Sequence, residues 1–150
     1  SGHPLDRFPE VDWRTYCPIA EIHRYPNQRV TVCGLIVVTR SHVQMNGQPM
    51  KFISICDRTG IVECEIFAAA YRAYGLNTAR YPVVQITAEV KPFENGQGFT
   101  LEVRRVELPN IHALNFVIVG LLGEGVASST AFDAQAKGLG EYLLSRVWRG

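Results

Sequence analysis

Between Arg29 and Leu108 apolar and polar residues alternate in short runs, separated by turn formers and by one alanine-rich stretch. No other feature of the chain limits its fold as much. Period-two alternation gives a run one apolar face, so each run is a strand that must lay that face on a shared core. Strand one is read over Arg29 to Arg40, strand two over Met50 to Asp57 and strand three over Ile61 to Phe67. Ala68 to Asn77 is a helix ending near Gly75; strand four runs from Tyr81 to Lys91 and strand five from Phe99 to Glu107. Ile53 and Ile55 share one face, with Phe52, Ser54 and Cys56 on the other. Val62, Cys64 and Ile66 face in, and Glu63 and Glu65 face out. Val84, Ile86, Ala88 and Val90 form one apolar side. Leu101 and Val103 point in, and Thr100, Glu102 and Arg104 point out. The pattern predicts a mainly β domain closed around one core, with a helix between strands three and four.

The connections carry turn chemistry. Gly34, inside strand one, predicts a bulge or sharp bend of the kind a small barrel needs to close. Asn46-Gly47 marks a turn in the Ser41 to Pro49 loop. Asp57-Arg58-Thr59-Gly60 reads as a tight turn with Gly60 free to take positive φ. Glu94 to Gly98 turns strand four into strand five. Residues 1–28 hold Pro4, Pro9, Pro18 and Pro26 and read as an extended leader with one helical turn near Ile19 to His23. The block 29–108 is the central domain, and 109–150 is a C-terminal extension of helical or mixed structure. In the extension, Ile111 to Leu122 is strongly apolar without a clear period. Thr130 and Asp133 have the spacing of a helix-start box. Phe132, Ala136, Leu139, Leu143 and Val147 then recur at helical spacing, predicting a terminal helix over 130–148.

Composition excludes several classes. A net charge of +1 does not advertise a nucleic-acid partner, and the block 29–108 sets nine Lys or Arg against seven acids. No apolar run reaches the roughly 18 residues a membrane helix requires. The four cysteines, Cys17, Cys33, Cys56 and Cys64, form no CxxC pair. They read as buried thiols of a reducing, cytoplasmic compartment rather than as zinc ligands. Gly120, Gly123 and Gly125 lack the Gly-Lys-Ser/Thr of a phosphate loop. No serine or cysteine has an identifiable base beside it.

The order of strands and helix resembles the OB-fold, a five-stranded Greek-key barrel that binds oligonucleotides or oligosaccharides more often than it catalyses. The residues narrow this. Ser1-Gly2-His3-Pro4-Leu5-Asp6-Arg7-Phe8 resembles the linker before the OB domain of the bacterial DNA polymerase III alpha subunit. Val32-Cys33-Gly34-Leu35-Ile36-Val37 resembles that domain's first strand. Lys51-Phe52-Ile53-Ser54-Ile55-Cys56-Asp57-Arg58-Thr59-Gly60 resembles its second strand and turn, and Glu63 to Phe67 its third strand. The resemblance covers about residues 1 to 108, and both replicative and error-prone forms of the subunit carry such a domain. It implies a piece of a much longer DNA-directed DNA polymerase, a nucleotidyltransferase whose palm domain holds magnesium on carboxylates. For this stretch it implies no cofactor and no catalysis of its own.

The resemblance also implies where DNA would lie. OB domains take single strands across strands two and three, between the loop after strand one and the loop joining strands four and five. Such binding needs cations for the backbone and aromatics for the bases. Arg40, His42 and Lys51 flank the first loop, and Phe52 points outward on strand two. There it either stacks a base or packs under a loop or the leader. Arg58 sits in the turn between strands two and three. Lys91, Phe93 and Phe99 border the fourth loop, and of Arg104 and Arg105 on strand five one points outward. Glu63 and Glu65 oppose phosphate on the same face, so the expectation is weak, salt-dependent single-stranded DNA binding through the loops. The alternatives are a protein-docking module for other replisome subunits, using 111–150, and an OB domain that binds tRNA.

Overall fold

A computed structural model describes residues 2–8 and 11–110. Its elements are three short 3-10 helices at Pro4–Arg7, Trp13–Thr15 and Ile19–Arg24, strands β1 (Arg29–Val43), β2 (Pro49–Cys56) and β3 (Ile61–Ile66), helix α1 (Ala68–Arg80), and strands β4 (Val83–Pro92) and β5 (Phe99–Glu107). The strands close in the order β1-β2-β3-β5-β4, with β1 returning to β4. Every ladder is antiparallel except β3 against β5, which pairs Cys64 with Leu101 and Glu65 with Glu102 in parallel. The mainly β barrel with a helix between its third and fourth strands is thus present. Of the expected 109–150 extension only Pro109 and Asn110 are described; its apolar run Ile111 to Leu122 and its helix over 130–148 lie outside the described residues.

The core follows the alternation. Val30, Val32, Ile53, Ile55, Val62, Cys64, Ile66, Val84, Ile86, Ala88, Val90, Leu101, Val103 and Val106 fill the barrel. β1 serves two neighbours in turn: Arg29 to Leu35 pair with β4, and Leu35 to Val43 pair with β2. Gly34 lies where it changes partner. A β-carbon there would come within 2.9 Å of the Cys56 carbonyl and 3.0 Å of Ile55 Cβ, so the glycine serves close approach. The ladder irregularity itself falls between Ile36 and Val38.

Four sequence expectations change. β1 continues past Arg40 to Val43, which shortens the predicted Ser41 to Pro49 loop to residues 44–48. Gly60 does not need a positive φ; its turn is held because the Asp57 carboxylate accepts from the Thr59 and Gly60 N–H groups at 2.7 and 3.0 Å. Helix α1 runs through Gly75 to Arg80, since packing on the barrel outweighs the roughly 1 kcal/mol propensity cost of one glycine. Thr100 points into a buried seam, where its hydroxyl donates to the Glu63 carbonyl at 3.0 Å and ties the short parallel ladder.

The leader is wound as well as extended, and it forms a second core. Leu5, Phe8, Val11 and Tyr16 bury against Cys33, Leu35 and Val83 on the outer side of β1 and β4. Tyr16 anchors it: its hydroxyl donates to Gln85 Oε1 at 2.7 Å and accepts from the Asn110 N–H. Burial pushes the Tyr16 phenol well above its ordinary value. A second anchor is Asp57, which also accepts from the Ile19 N–H at 2.8 Å, so the β2–β3 turn is fastened to the third 3-10 helix.

Candidate nucleic-acid interface

The outer face of β2 and β3 and its neighbours are organised by register. Arg40 lies opposite Phe52 and Phe52 opposite Glu65. Glu65 then lies opposite Glu102, and Glu102 opposite Glu89. One row of outward side chains therefore crosses every strand of the barrel, basic and aromatic on β1 and β2 and acidic on β3, β5 and β4.

At the basic end Phe52 is half-buried, and the Arg40 guanidinium carbon sits 5.0 Å from its ring centroid. The His42 ring lies 6.4 Å from Phe52, tilted by 52°. Arg40, His42 and Phe52 thus form one cluster at the root of the β1–β2 hairpin. The hairpin beyond is well turned: Gly47 takes φ 81°, and its N–H donates to the Gln44 carbonyl at 2.8 Å. It presents Val43 and Met45 fully or largely to solvent.

At the acidic end, carboxylates claim the cations. Arg104 reaches Glu89 at 2.7 Å and Glu102 at 3.0 Å. Lys91 lies 3.3 Å from Glu89 and 3.9 Å from Glu102. Arg40 is 3.5 Å from Glu63. The Arg104 and Lys91 hydrogen bonds hold the Glu89 carboxyl below its ordinary range. Glu65 moves the other way: burial raises it, and the nearby Glu63 and Glu102 charges add to the rise.

The remaining candidates separate. Lys51 does not join the surface. It is buried, and its ammonium donates to Thr78 Oγ1 at 2.7 Å beneath α1, so its place is a clamp between helix and barrel. Its parity along β2, shared with Ile53 and Ile55, was the signal for this. Arg58 faces the leader and pairs with Asp6 at 2.5 Å; that guanidinium holds the Asp6 carboxyl below its usual range. Both Arg104 and Arg105 reach solvent, because the β4–β5 register shifts between Thr87 and Ala88 and leaves Arg104 as the extra residue. Arg105 pairs with Glu107 at 3.3 Å. Phe93 is exposed at the β4–β5 turn and packs its ring edge on Gly98, where φ is 108°. Phe99 packs on the core edge instead. Sequence reading missed Glu89 and Glu102 as the partners of Lys91 and Arg104, since only cross-strand register brings them together.

A closed five-strand barrel in the order β1-β2-β3-β5-β4, with its helix between β3 and β4, defines an OB-fold domain. A family model described as the AtuA ferredoxin-like domain matches residues 70–148, more than half of the chain, and the chain belongs to that family. That match starts inside α1 and takes in β4 and β5; β1, β2 and β3, which complete the barrel, precede it. The chain is also similar to DNA polymerase III alpha subunits, as the leader and strand motifs suggested. It is 28% identical to the Pseudomonas fluorescens subunit over 116 residues, 71% of this chain and 9% of that protein. It is 31% identical to the Aquifex aeolicus subunit over 72 residues, 47% of this chain and 6% of that protein. The chain therefore spans less than a tenth of the length of these relatives. Two solved structures also align. One is a Klebsiella pneumoniae lipoprotein described as nucleic acid-binding, at 18% identity and TM-score 0.45, covering 55% of this chain and 74% of that one. The other is RecG bound to a three-way DNA junction, at 20% identity and TM-score 0.43, covering 72% of this chain and 15% of that one. At such scores neither adds to what the strand order establishes.

Proposed function

We propose that this domain is a non-catalytic single-stranded-DNA-binding module of a replicative-type DNA polymerase, binding weakly and with strong salt dependence. The observation that carries the reading is the Arg40–His42–Phe52 cluster. It offers a ring for a base and a cation for a phosphate on the outer face of β2, at the foot of an exposed hairpin. The similarity to polymerase III alpha subunits supports the replication context. Arg104 and Lys91 extend the cation supply across the face, but each already has carboxylate partners. That competition is the physical reason for weak binding. Magnesium and nucleotidyl transfer belong, on this reading, to other parts of the longer protein, and the compartment is the cytoplasm.

A fluorescence anisotropy titration with labelled oligo-dT at low salt tests the proposal. The expected result is a dissociation constant near the non-specific range of about 1–100 µM, weakening steeply as salt rises. Phe52→Ala should cost about 1–3 kcal/mol of binding. Absence of binding at about 100 µM protein, or binding indifferent to Phe52 and Arg40, overturns it. Docking on other replisome subunits through residues 111–150 is the second reading, and it rests on sequence outside the described residues.

A further inference from the structure

We propose that Arg40 has two positions: Glu63 holds it over the Phe52 ring in the free protein, and a backbone phosphate takes it when a base claims that ring. The proposal rests on reading the β2–β3 face as a single-strand surface, and it adds how that surface is gated. With its guanidinium carbon 5.0 Å from the ring centroid, Arg40 lies over the ring at cation–π distance. The ring face that it covers cannot receive a base at the same time. Its anchor is a long pair, Arg40 Nη2 to Glu63 Oε2 at 3.5 Å, with the two side chains 61% and 44% exposed. Exposed pairs of this kind are weak, so Glu63 suffices to park the guanidinium and not to retain it against a phosphate. Glu63 thus holds the position that a phosphate oxygen would take. Glu65, opposite Phe52 on β3, adds negative charge beside the same ring and gives Arg40 a further reason to stay. Moving Arg40 frees the aromatic face and supplies the cation in one step, which ties base stacking to phosphate pairing.

The test is the oligo-dT titration at low salt with Glu63→Gln, Arg40→Ala, the double variant, and Glu107→Gln as a charge-matched control. Glu107 pairs with Arg105 near the end of β5, away from Phe52. Glu63→Gln is expected to tighten binding about two- to fivefold, and to lose that gain once Arg40 is alanine. Glu107→Gln should stay within about 1.5-fold of the parent. The gate is overturned if Glu63→Gln leaves affinity unchanged while the parent binds. It is equally overturned if the gain persists without Arg40 or is matched by Glu107→Gln, since charge removal alone would then account for it. If no protein binds, the single-strand reading itself falls and takes the gate with it.

Discussion

Lys51 shows how one side chain can change meaning between sequence and structure. In the sequence it flanks a binding loop; in the fold its stem is buried and its ammonium meets only Thr78 among the hydrogen bonds seen. Burial lowers its pKa below the ordinary 10.5, so the charged form carries a cost that disappears only in strong base. Thr78 keeps its own donation to the Gly75 carbonyl at 2.7 Å when Lys51 is gone. Lys51→Met, similar in volume, should therefore leave stability at neutral pH within about 1 kcal/mol, as urea unfolding would measure. Oligo-dT affinity should stay within about twofold, in contrast to Arg40→Ala. Arg104 is the opposite case. Strict alternation allowed one outward arginine on strand five, and a register shift supplied both. Such shifts depend on the partner strand, which a single strand's sequence does not reveal.

At the scale of elements, the barrel strands were legible, as was the leader's turn near Ile19 to His23, present as the 3-10 helix Ile19–Arg24; the leader's packing was not. Glu63 and Glu65 alternate with Val62, Cys64 and Ile66 so cleanly that β3 could be oriented from sequence. The leader's prolines suggested an extended arm, yet Leu5, Phe8 and Val11 recur every third residue, the period of a 3-10 turn. Phe8 is 1% exposed. Phe8→Ala should cost about 3–5 kcal/mol by chemical denaturation, as for any fully buried aromatic. A loss under about 1 kcal/mol would mean that the leader is not part of the cooperative unit. Gly34→Ala tests the partner exchange in β1. Its methyl group would meet the Cys56 carbonyl at 2.9 Å, and backbone must move. The expected cost is about 1–3 kcal/mol, seen as a lower thermal midpoint.

For the whole molecule, the charge count gives a sum and not an arrangement. Acids and cations are not mixed evenly; the row across the barrel gathers Glu65, Glu102 and Glu89 on β3, β5 and β4. Only strand order makes such a row, so it could not be found before closure was known. Burial also sets the response to alkali. The Cys33 and Cys64 thiols and the Tyr16 phenol are pushed above their ordinary values of 9.0 and 10.0, by burial first in each case. Above pH 9 the unfolded chain releases these protons while the folded chain keeps them. The unfolded state then holds fewer of these protons, so these three groups lower stability as pH rises, outweighing the single opposite contribution of Lys51. Urea midpoints should drop from pH 8 to pH 11, first through the thiols with ordinary value 9.0 and then through the phenol with 10.0. Tyr16→Phe should start about 1–2 kcal/mol lower, having lost two hydrogen bonds, and show a shallower decline at the upper end. A parallel decline would remove Tyr16 as a contributor.

The exchange of partners along β1 has a further result. Among the described ladders, β1 beyond Leu35 is paired with β2 alone, so closure of the barrel ends before the strand does. The projecting arm has one sheet edge that β4 does not cover, and Val37 and Val38 stand about half exposed along it. An apolar edge left unpaired among the described ladders invites another chain to add a strand. The irregularity between Ile36 and Val38 kinks that edge, and the cation at Arg40 discourages a flat neighbour. That kink and that charge make the arm a poor template for a second copy of the chain.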